Sequence, residues 1–212
     1  MDAKTIEDEV EPESARDGGA KRRQIMDGAR TAFLSAGFDG ASMNDIARAA
    51  GVSKGTLYAY FSSKDELFEA IIRAEKAQAA ERLCAFRREG DTREMLTDFG
   101  VRLMRRICEP GHLALARVVI AAVEKFPNVG RAYYEAGPLY GATRLADELK
   151  ALEKAGALKV PDPERAAWHF LDLCQSNVLK RLLFGVAETA SPEEIEASVK
   201  AGVEAFLKAY GA

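Results

Sequence analysis

Between Ser42 and Ser63 the chain carries three helix-start signals, and that density restricts what it can fold into. Ser42 is followed three residues on by Asp45, Ser53 opens a short run that ends near Tyr60, and Ser63 is followed three residues on by Glu66. A serine hydroxyl that takes an orphan N–H of the first turn, answered by an acid three residues later, is a capping box. The signals predict a second helix from Ser42 to Ala50, a turn at Gly51 and a third helix from Ser53 to Tyr60. A fourth opens at Ser63 and runs through Leu67, Phe68, Ile71 and Ile72 towards Phe86. A first helix precedes them, with Ile25, Ala29, Ala32, Phe33 and Ala36 as its stripe and Gly37 as its end.

Two short helices joined at Gly51 fit a helix-turn-helix. Ile46 and Ala47 face inward, Val52 and Leu57 anchor the third helix, and small Ala47, Ala49 and Ala50 let the two approach closely. The third helix then presents Lys54, Gly55, Thr56 and Tyr58 outward at its N-terminal end, where such helices enter the major groove. Gly55 inside a helix costs about 1 kcal/mol against alanine, and close approach of backbone to DNA is one reason to keep it. By spacing alone, plain packing of two helices stays open beside DNA binding.

The formal net charge of −3 argues against nucleic acid, but the charges are unevenly placed. Acids dominate residues 1–17, whereas Lys21, Arg22, Arg23, Arg30, Arg48, Lys54 and Lys64 outnumber Asp27, Asp39 and Asp45 just beyond. Phosphate binding depends on that local field. The run Lys21-Arg22-Arg23 is either a solvated stretch or a DNA-contacting arm ahead of the first helix. Residues 1–19, charged and closing on Gly18-Gly19, read as a disordered acidic tail. No apolar leader or spanning segment is present, so a cytoplasmic protein with no membrane association is expected. Cys84, Cys108 and Cys174 are far apart with no metal-type spacing, which fits a reducing compartment and no metal; no cofactor is expected.

With these residues in view, the run from Ser42 through Gly51-Val52-Ser53-Lys54-Gly55-Thr56-Leu57-Tyr58-Ala59-Tyr60-Phe61 to Leu67 resembles the signature of the TetR/AcrR family of regulators. The resemblance spans residues 21–72. It implies phosphate contacts from Ser42, Tyr60 and Lys64, with Lys54, Gly55, Thr56 and Tyr58 along the groove. Lys21, Arg22, Asn44 and Ser53 complete the expected DNA-binding set. Ala59 departs from the bulky residue many relatives carry there. Hydroxyls and helix N-termini suit phosphates, and Thr or Tyr can touch thymine methyls.

The rest of the chain also has helical period, which makes the expected fold all-α: a helix-turn-helix domain over 20–66, then a helical ligand-binding and dimerisation domain over 67–212. Residues 94–107 carry Leu96, Phe99, Leu103 and Ile107 on one stripe, ended by Pro110-Gly111. Residues 112–126 are apolar on nearly every side, which predicts a buried helix. Gly137-Pro138 predicts a kink or break. Asp162-Pro163 and Ser191-Pro192-Glu193-Glu194 start the last two helices. Residues 117–210 are similar to the AefR-like subgroup of the same family.

The helix from Pro163 to Phe184 is apolar on two sides, and the last helix has one stripe of Ile195, Val199, Gly202, Val203, Phe206 and Tyr210. Two such helices per subunit, paired across a twofold axis, would form a four-helix interface through Leu171, Val178, Leu182, Ile195, Val199, Val203 and Phe206; the alternative is a monomeric core. Phe99, Leu103, His112, Phe126, Tyr133, Tyr134, Trp168 and Phe170 are the candidate lining of a pocket for an organic ligand, or ordinary core. No nucleophile–base pair, phosphate loop or spaced carboxylate pair points to an enzyme. The expected protein is a homodimeric, operator-binding regulator, a repressor released by a small hydrophobic ligand; a DNA-binding regulator controlled by a protein partner, or by nothing at all, is the alternative.

Overall fold

The capping serines position the first helices as their sequence requires. Ser42 Oγ accepts from Asp45 N at 3.2 Å while the Asp45 carboxylate takes the Ser42 N–H at 3.2 Å, and α2 (Met43–Ala49) follows. Ser53 Oγ accepts from Thr56 N at 3.0 Å to start α3 (Lys54–Tyr60). At α4 (Lys64–Leu83) the expected box is only half made. Ser63 Oγ accepts from Glu66 N, but the Glu66 carboxylate reaches one residue further back, to the N–H and hydroxyl of Ser62.

The structure, a computed structural model, describes residues 13–83 and 91–212. The first helix, α1 (Glu13–Gly40), begins inside the segment expected to be a tail; residues 1–12, Cys84 and Phe86 lie outside the described residues. Gly37, at φ 72°, breaks its helical geometry where the sequence places the end. The chain divides into two compact units, Met1–Ala70 and Ile71–Ala212.

The first unit has an apolar centre in which Phe33, Phe38 and Phe68 form a triangle with ring centroids 5.1–5.3 Å apart. Ile25, Ala29, Ile46, Leu57, Phe61 and Leu67 are buried with them. These are the stripe residues of α1 together with the inward residues of the two short helices.

The second unit is a stack of α5 (Thr92–Ile107), α6 (Pro110–Ala122), α7 (Pro127–Tyr134), α8 (Tyr140–Lys154), α9 (Pro163–Leu183) and α10 (Pro192–Tyr210). Pro110 opens α6 rather than closing α5, because a proline at the first helical position lacks only an N–H that would be unpaired there. Glu135–Leu139, around Gly137-Pro138, is π-helical and joins α7 to α8, so the expected irregularity is a widened turn rather than a break. The helix α6 is not buried all round: Leu113, Leu115, Val119 and Ala122 are, but Ile120 is 57% exposed.

Packing around α9 is tight. A Cβ at Gly202 of α10 would lie 2.9 Å from the Leu173 carbonyl and the Cys174 N, and one at Gly100 of α5 would lie 2.7 Å from Val199 Cγ1. At this level α9 departs from helical geometry, with Ser176 at φ 41°, ψ −129°, and Ser198 Oγ donates to the Cys174 carbonyl at 2.9 Å. At the C-terminal end of α9, Arg117 of α6 donates to the carbonyls of Leu182 and Leu183. Among the described residues there is no strand beyond one isolated bridge, Leu158 with Gly211.

Ser176 holds a backbone conformation that glycine adopts without strain and other residues reach at about 1–3 kcal/mol. Ser176→Gly is therefore expected to stabilise the second unit by about 1 kcal/mol, a rise of about 2–4 °C in melting temperature. A fall of about 0.5 kcal/mol, the helix-propensity difference between serine and glycine, would show that α9 runs straight there in solution.

Candidate functional site

In the first unit, the turn between α2 and α3 is held both from within and by α1. Gly51 adopts φ 62°, Val52 N donates to the Ala47 carbonyl at 3.0 Å, and Gln24 of α1 donates to the Ala50 carbonyl at 2.7 Å. Gly28 lets α1 touch this corner: a Cβ there would lie 2.4 Å from Ala50 Cα and N. Nothing in the helix-start pattern marks Gln24 or Gly28, which act across sequence separations of more than twenty residues.

On the outer side, Ser42, Asn44, Ser53, Lys54, Gly55 and Tyr58 are exposed, and Thr56 and Tyr60 are half-buried. A Cβ at Gly55 would meet only Ser53 Oγ, at an ordinary 3.8 Å, so the fold itself does not require glycine there. The Lys54 ammonium lies 5.9 Å from the Tyr58 ring centroid. Hydrogen bonds from Ser42, its hydroxyl first and then its N–H, hold the Asp45 carboxyl below the usual carboxylate range. Ser62 does the same for Glu66. Both acids are thus ionised caps at neutral pH.

Three of the expected DNA-facing cations have partners within the unit. Lys64 donates to the carbonyls of Phe38 at 2.9 Å and Asp39 at 3.2 Å and sits 4.8 Å from the Phe38 ring centroid. Its expected role as a phosphate ligand is thus joined by a structural one, tying the start of α4 to the end of α1. Arg22 stacks 4.9 Å from the Phe61 ring centroid, and Lys21 donates to Gln24 Oε1 at 3.0 Å.

In the second unit a cavity of about 320 Å³ lies among α5–α9. Of the expected lining, Phe99, Leu103, His112, Tyr133 and Trp168 border it; Phe126, Tyr134 and Phe170 do not. Phe170 is fully buried against Phe99, Phe206 and the α10 core, and Tyr134 stacks on Trp168 from outside, rings 3° from parallel. The walls also include Arg106, Ile107, Tyr140, Gly141, Gln175 and Leu179, none of them in the expected lining. His112 Nε2 and Tyr133 Oη are hydrogen-bonded at 3.0 Å.

The apolar interface expected on the last two helices is corrected. Val178, Leu182, Ile195, Val199, Val203 and Phe206 are buried within their own unit, and Leu171 is buried and borders the cavity. The two apolar sides of α9 meet the core and the cavity, because Trp168, Leu171, Gln175, Leu179 and Leu183 form a helical stripe along it. The outward side of α9 carries Leu173 and Asn177 beside the exposed polar residues Asp172, Ser176 and Lys180, and Phe184, just past its end, is 80% exposed. On α10, Ala197, Ala201, Ala205 and Ala209 are exposed one turn apart in succession, with Lys200, Glu204 and Lys208 exposed beside them. Burial raises the thiols of Cys174 to about 12 and Cys108 to about 11, so neither is a reactive thiolate. Among the described residues no cluster of three or more potential metal ligands occurs, and no helix is long and apolar enough to cross a membrane.

A helix-turn-helix with a polar outer face, in one chain with a helical unit that holds an apolar cavity, is the architecture of a DNA-binding transcription regulator. Residues 25–71 match the family described as bacterial regulatory proteins of the tetR family, and residues 94–212 match the AefR-like transcriptional repressor C-terminal domain. The chain belongs to the TetR family of transcriptional repressors. It is 29% identical to the HTH-type transcriptional repressor Rv1474c of Mycobacterium tuberculosis over 78% of this chain and 84% of that protein. A TetR-family regulator of Mesorhizobium loti superposes with a TM-score of 0.85 at 31% identity, covering 95% of this chain and all, 100%, of that one. The flavonoid-responsive regulator FrrA superposes with a TM-score of 0.81 at 35% identity, covering 91% of this chain and 98% of its own. TetR-family regulators bind operator DNA and act as dimers.

Proposed function

We propose that this protein is a cytoplasmic homodimeric repressor whose hold on its operator is released by a small hydrophobic ligand. The observation that carries the reading is the cavity of about 320 Å³ in the second unit, a size within the range of organic-ligand sites. The likeness to a regulator named for its response to flavonoids supports it. In the complex, α3 lies in the major groove with Lys54, Gly55, Thr56 and Tyr58 along it. Ser42, Asn44, Ser53, Tyr60, Lys64, Lys21 and Arg22 hold phosphates on either side. The exposure of Gly55, in a place where the fold itself tolerates a side chain, supports close backbone approach. The dimer forms through the outward faces of α9 and α10, Leu173, Asn177 and Phe184 with the alanine row from Ala197 to Ala209.

Selection from random duplex DNA tests the dimeric reading. Two related recognition helices require an inverted repeat with half-sites one helical turn or a multiple of it apart. A single, unrepeated site would overturn it.

Gly141 tests the release. It lies in α8 on the cavity wall, and a Cβ there would meet nothing within 4 Å. Gly141→Leu should narrow the cavity, its Cβ meeting no neighbour within 4 Å, and, by helix propensity, stabilise the unit by about 0.5–1 kcal/mol. Compounds found to release the parent protein from its selected operator should fail to release the variant, whose operator affinity should be unchanged. Equal release of both would place the ligand site elsewhere.

A further inference from the structure

Resting on the ligand-released reading above, the geometry points to a ligand class: a flat, uncharged or anionic aromatic molecule bearing a hydroxyl that the His112–Tyr133 pair recognises. The walls are mostly apolar and rich in rings, with Phe99, Tyr133, Tyr140 and Trp168 on four different helices. A conjugated ring system buries area against such faces in offset or edge-on contact, which a branched aliphatic chain does less well. Gly137 and Gly141, one turn apart, also border the cavity and add no side chain to its wall.

The polar groups set the rest. His112 of α6 and Tyr133 of α7 border the cavity and hold each other at 3.0 Å. A neutral imidazole nitrogen accepts and a phenol both donates and accepts, so this pair can exchange its internal bond for two bonds to one ligand hydroxyl. A hydrocarbon of the same shape makes no use of the pair, and a ligand without the hydroxyl forgoes those bonds. Charge discriminates further. The lining holds Arg106 and His112 and no aspartate or glutamate. A cation in this site would be desolvated with no counter-charge on the wall, which strongly disfavours it. A phenolate would meet the Arg106 side of the cavity instead, although Arg106 is also paired with Glu109.

Trp168, the sole tryptophan of the chain, borders the cavity and reports occupancy through its fluorescence. Three probes share one scaffold: 4-hydroxybiphenyl, biphenyl and 4-phenylbenzylammonium. The full-length protein should bind the phenol at least tenfold more tightly than the hydrocarbon, and the ammonium not at all. The double variant His112→Phe with Tyr133→Phe keeps two rings and removes both polar atoms. Its binding of biphenyl should persist, which shows the fold intact, while the preference for the phenol disappears. Equal binding of phenol and hydrocarbon, binding of the ammonium, a preference that survives in the double variant, or no binding of any probe would overturn the class. The two levels separate cleanly. Cationic or hydroxyl-free compounds that release the parent protein from its operator and fail on Gly141→Leu would refute the class and leave the ligand-released repressor standing. Compounds that act equally on both proteins would refute the repressor reading instead.

Discussion

Gly28→Ala is expected to abolish operator binding, although Gly28 is not among the expected DNA-facing residues. Its place is the crossing of α1 with the corner between α2 and α3, where a methyl would sit 2.4 Å from Ala50 Cα and N. Overpacking usually costs about 1–3 kcal/mol because side chains rotate aside. Here the obstructing atoms are backbone, and Gln24 ties that backbone to α1 through the Ala50 carbonyl at 2.7 Å. Relief therefore requires α1 to part from the corner, and the recognition helix follows Ala50 by only a few residues. Operator affinity should fall by orders of magnitude in a mobility-shift titration, with a large loss of thermal stability in the first unit. Gly55→Ala is the matched control. Its methyl meets only Ser53 Oγ at 3.8 Å, and alanine is the better helix former by about 1 kcal/mol. It should leave the unit as stable or more so while weakening operator binding, since only the DNA would meet the methyl. Normal operator binding by Gly28→Ala would mean that the crossing is looser than the structure shows.

What the sequence made legible was local. The caps at Ser42, Ser53, Asp162 and Ser191 depend on atoms three residues away, and each is formed. Gly37 and Gly51 adopt positive φ where turns were expected, since that conformation belongs to the residue itself. The features that escaped are contacts between distant segments. Gly28 and Gly202 are small because a backbone from elsewhere in the chain passes over them, and no periodicity encodes that. Glu66 has two serines within reach, and its choice of Ser62 over Ser63 depends on how the chain enters α4. Lys64 has the right charge for phosphate, but its ammonium is drawn to the carbonyls at the end of α1.

The apolar pattern of the last two helices was legible as pattern but not as partner. Periodicity identifies which residues share a face and says nothing about what covers it. The stripe centred on Phe206 meets α9 and α5, and the second apolar side of α9 meets the cavity. The outward alanines of α10 carry no hydrophobic signal strong enough to mark a face. For the pocket, five of the expected residues border the cavity, whereas Tyr134 stacks on Trp168 from outside, Phe170 belongs to the core and Phe126 does not reach the wall. Gln175 and Gly141 carried no such signal, being polar in one case and without a side chain in the other.

Phe206→Asp distinguishes the two possible roles of the last helix. Had Phe206 faced a second subunit, an aspartate would give folded monomers. Its ring is instead fully buried, perpendicular to Phe170 with centroids 5.3 Å apart and 4.7 Å from Tyr210. Its neighbours Val199, Gly202 and Val203 are buried on the same stripe. A carboxylate there would be desolvated among rings, so the folded state would have to hold it protonated or admit water. Adding the lost ring packing, about 3–5 kcal/mol by analogy with Phe→Ala, the total is a large part of the stability of an ordinary domain. The variant should lose cooperative melting of the second unit and much of its helical circular dichroism at ambient temperature, rather than sediment as a well-folded monomer. Ala201→Glu provides the contrast. Ala201 is exposed in the middle of the outward alanine row, and a glutamate there would leave the core untouched and place a charge where two subunits would meet. Helicity and melting should be retained, sedimentation should show the halved mass, and operator affinity should fall because one recognition helix must bind without the second. A Phe206→Asp protein that melts cooperatively as a monomer would return the apolar stripe to the interface and remove it from the core.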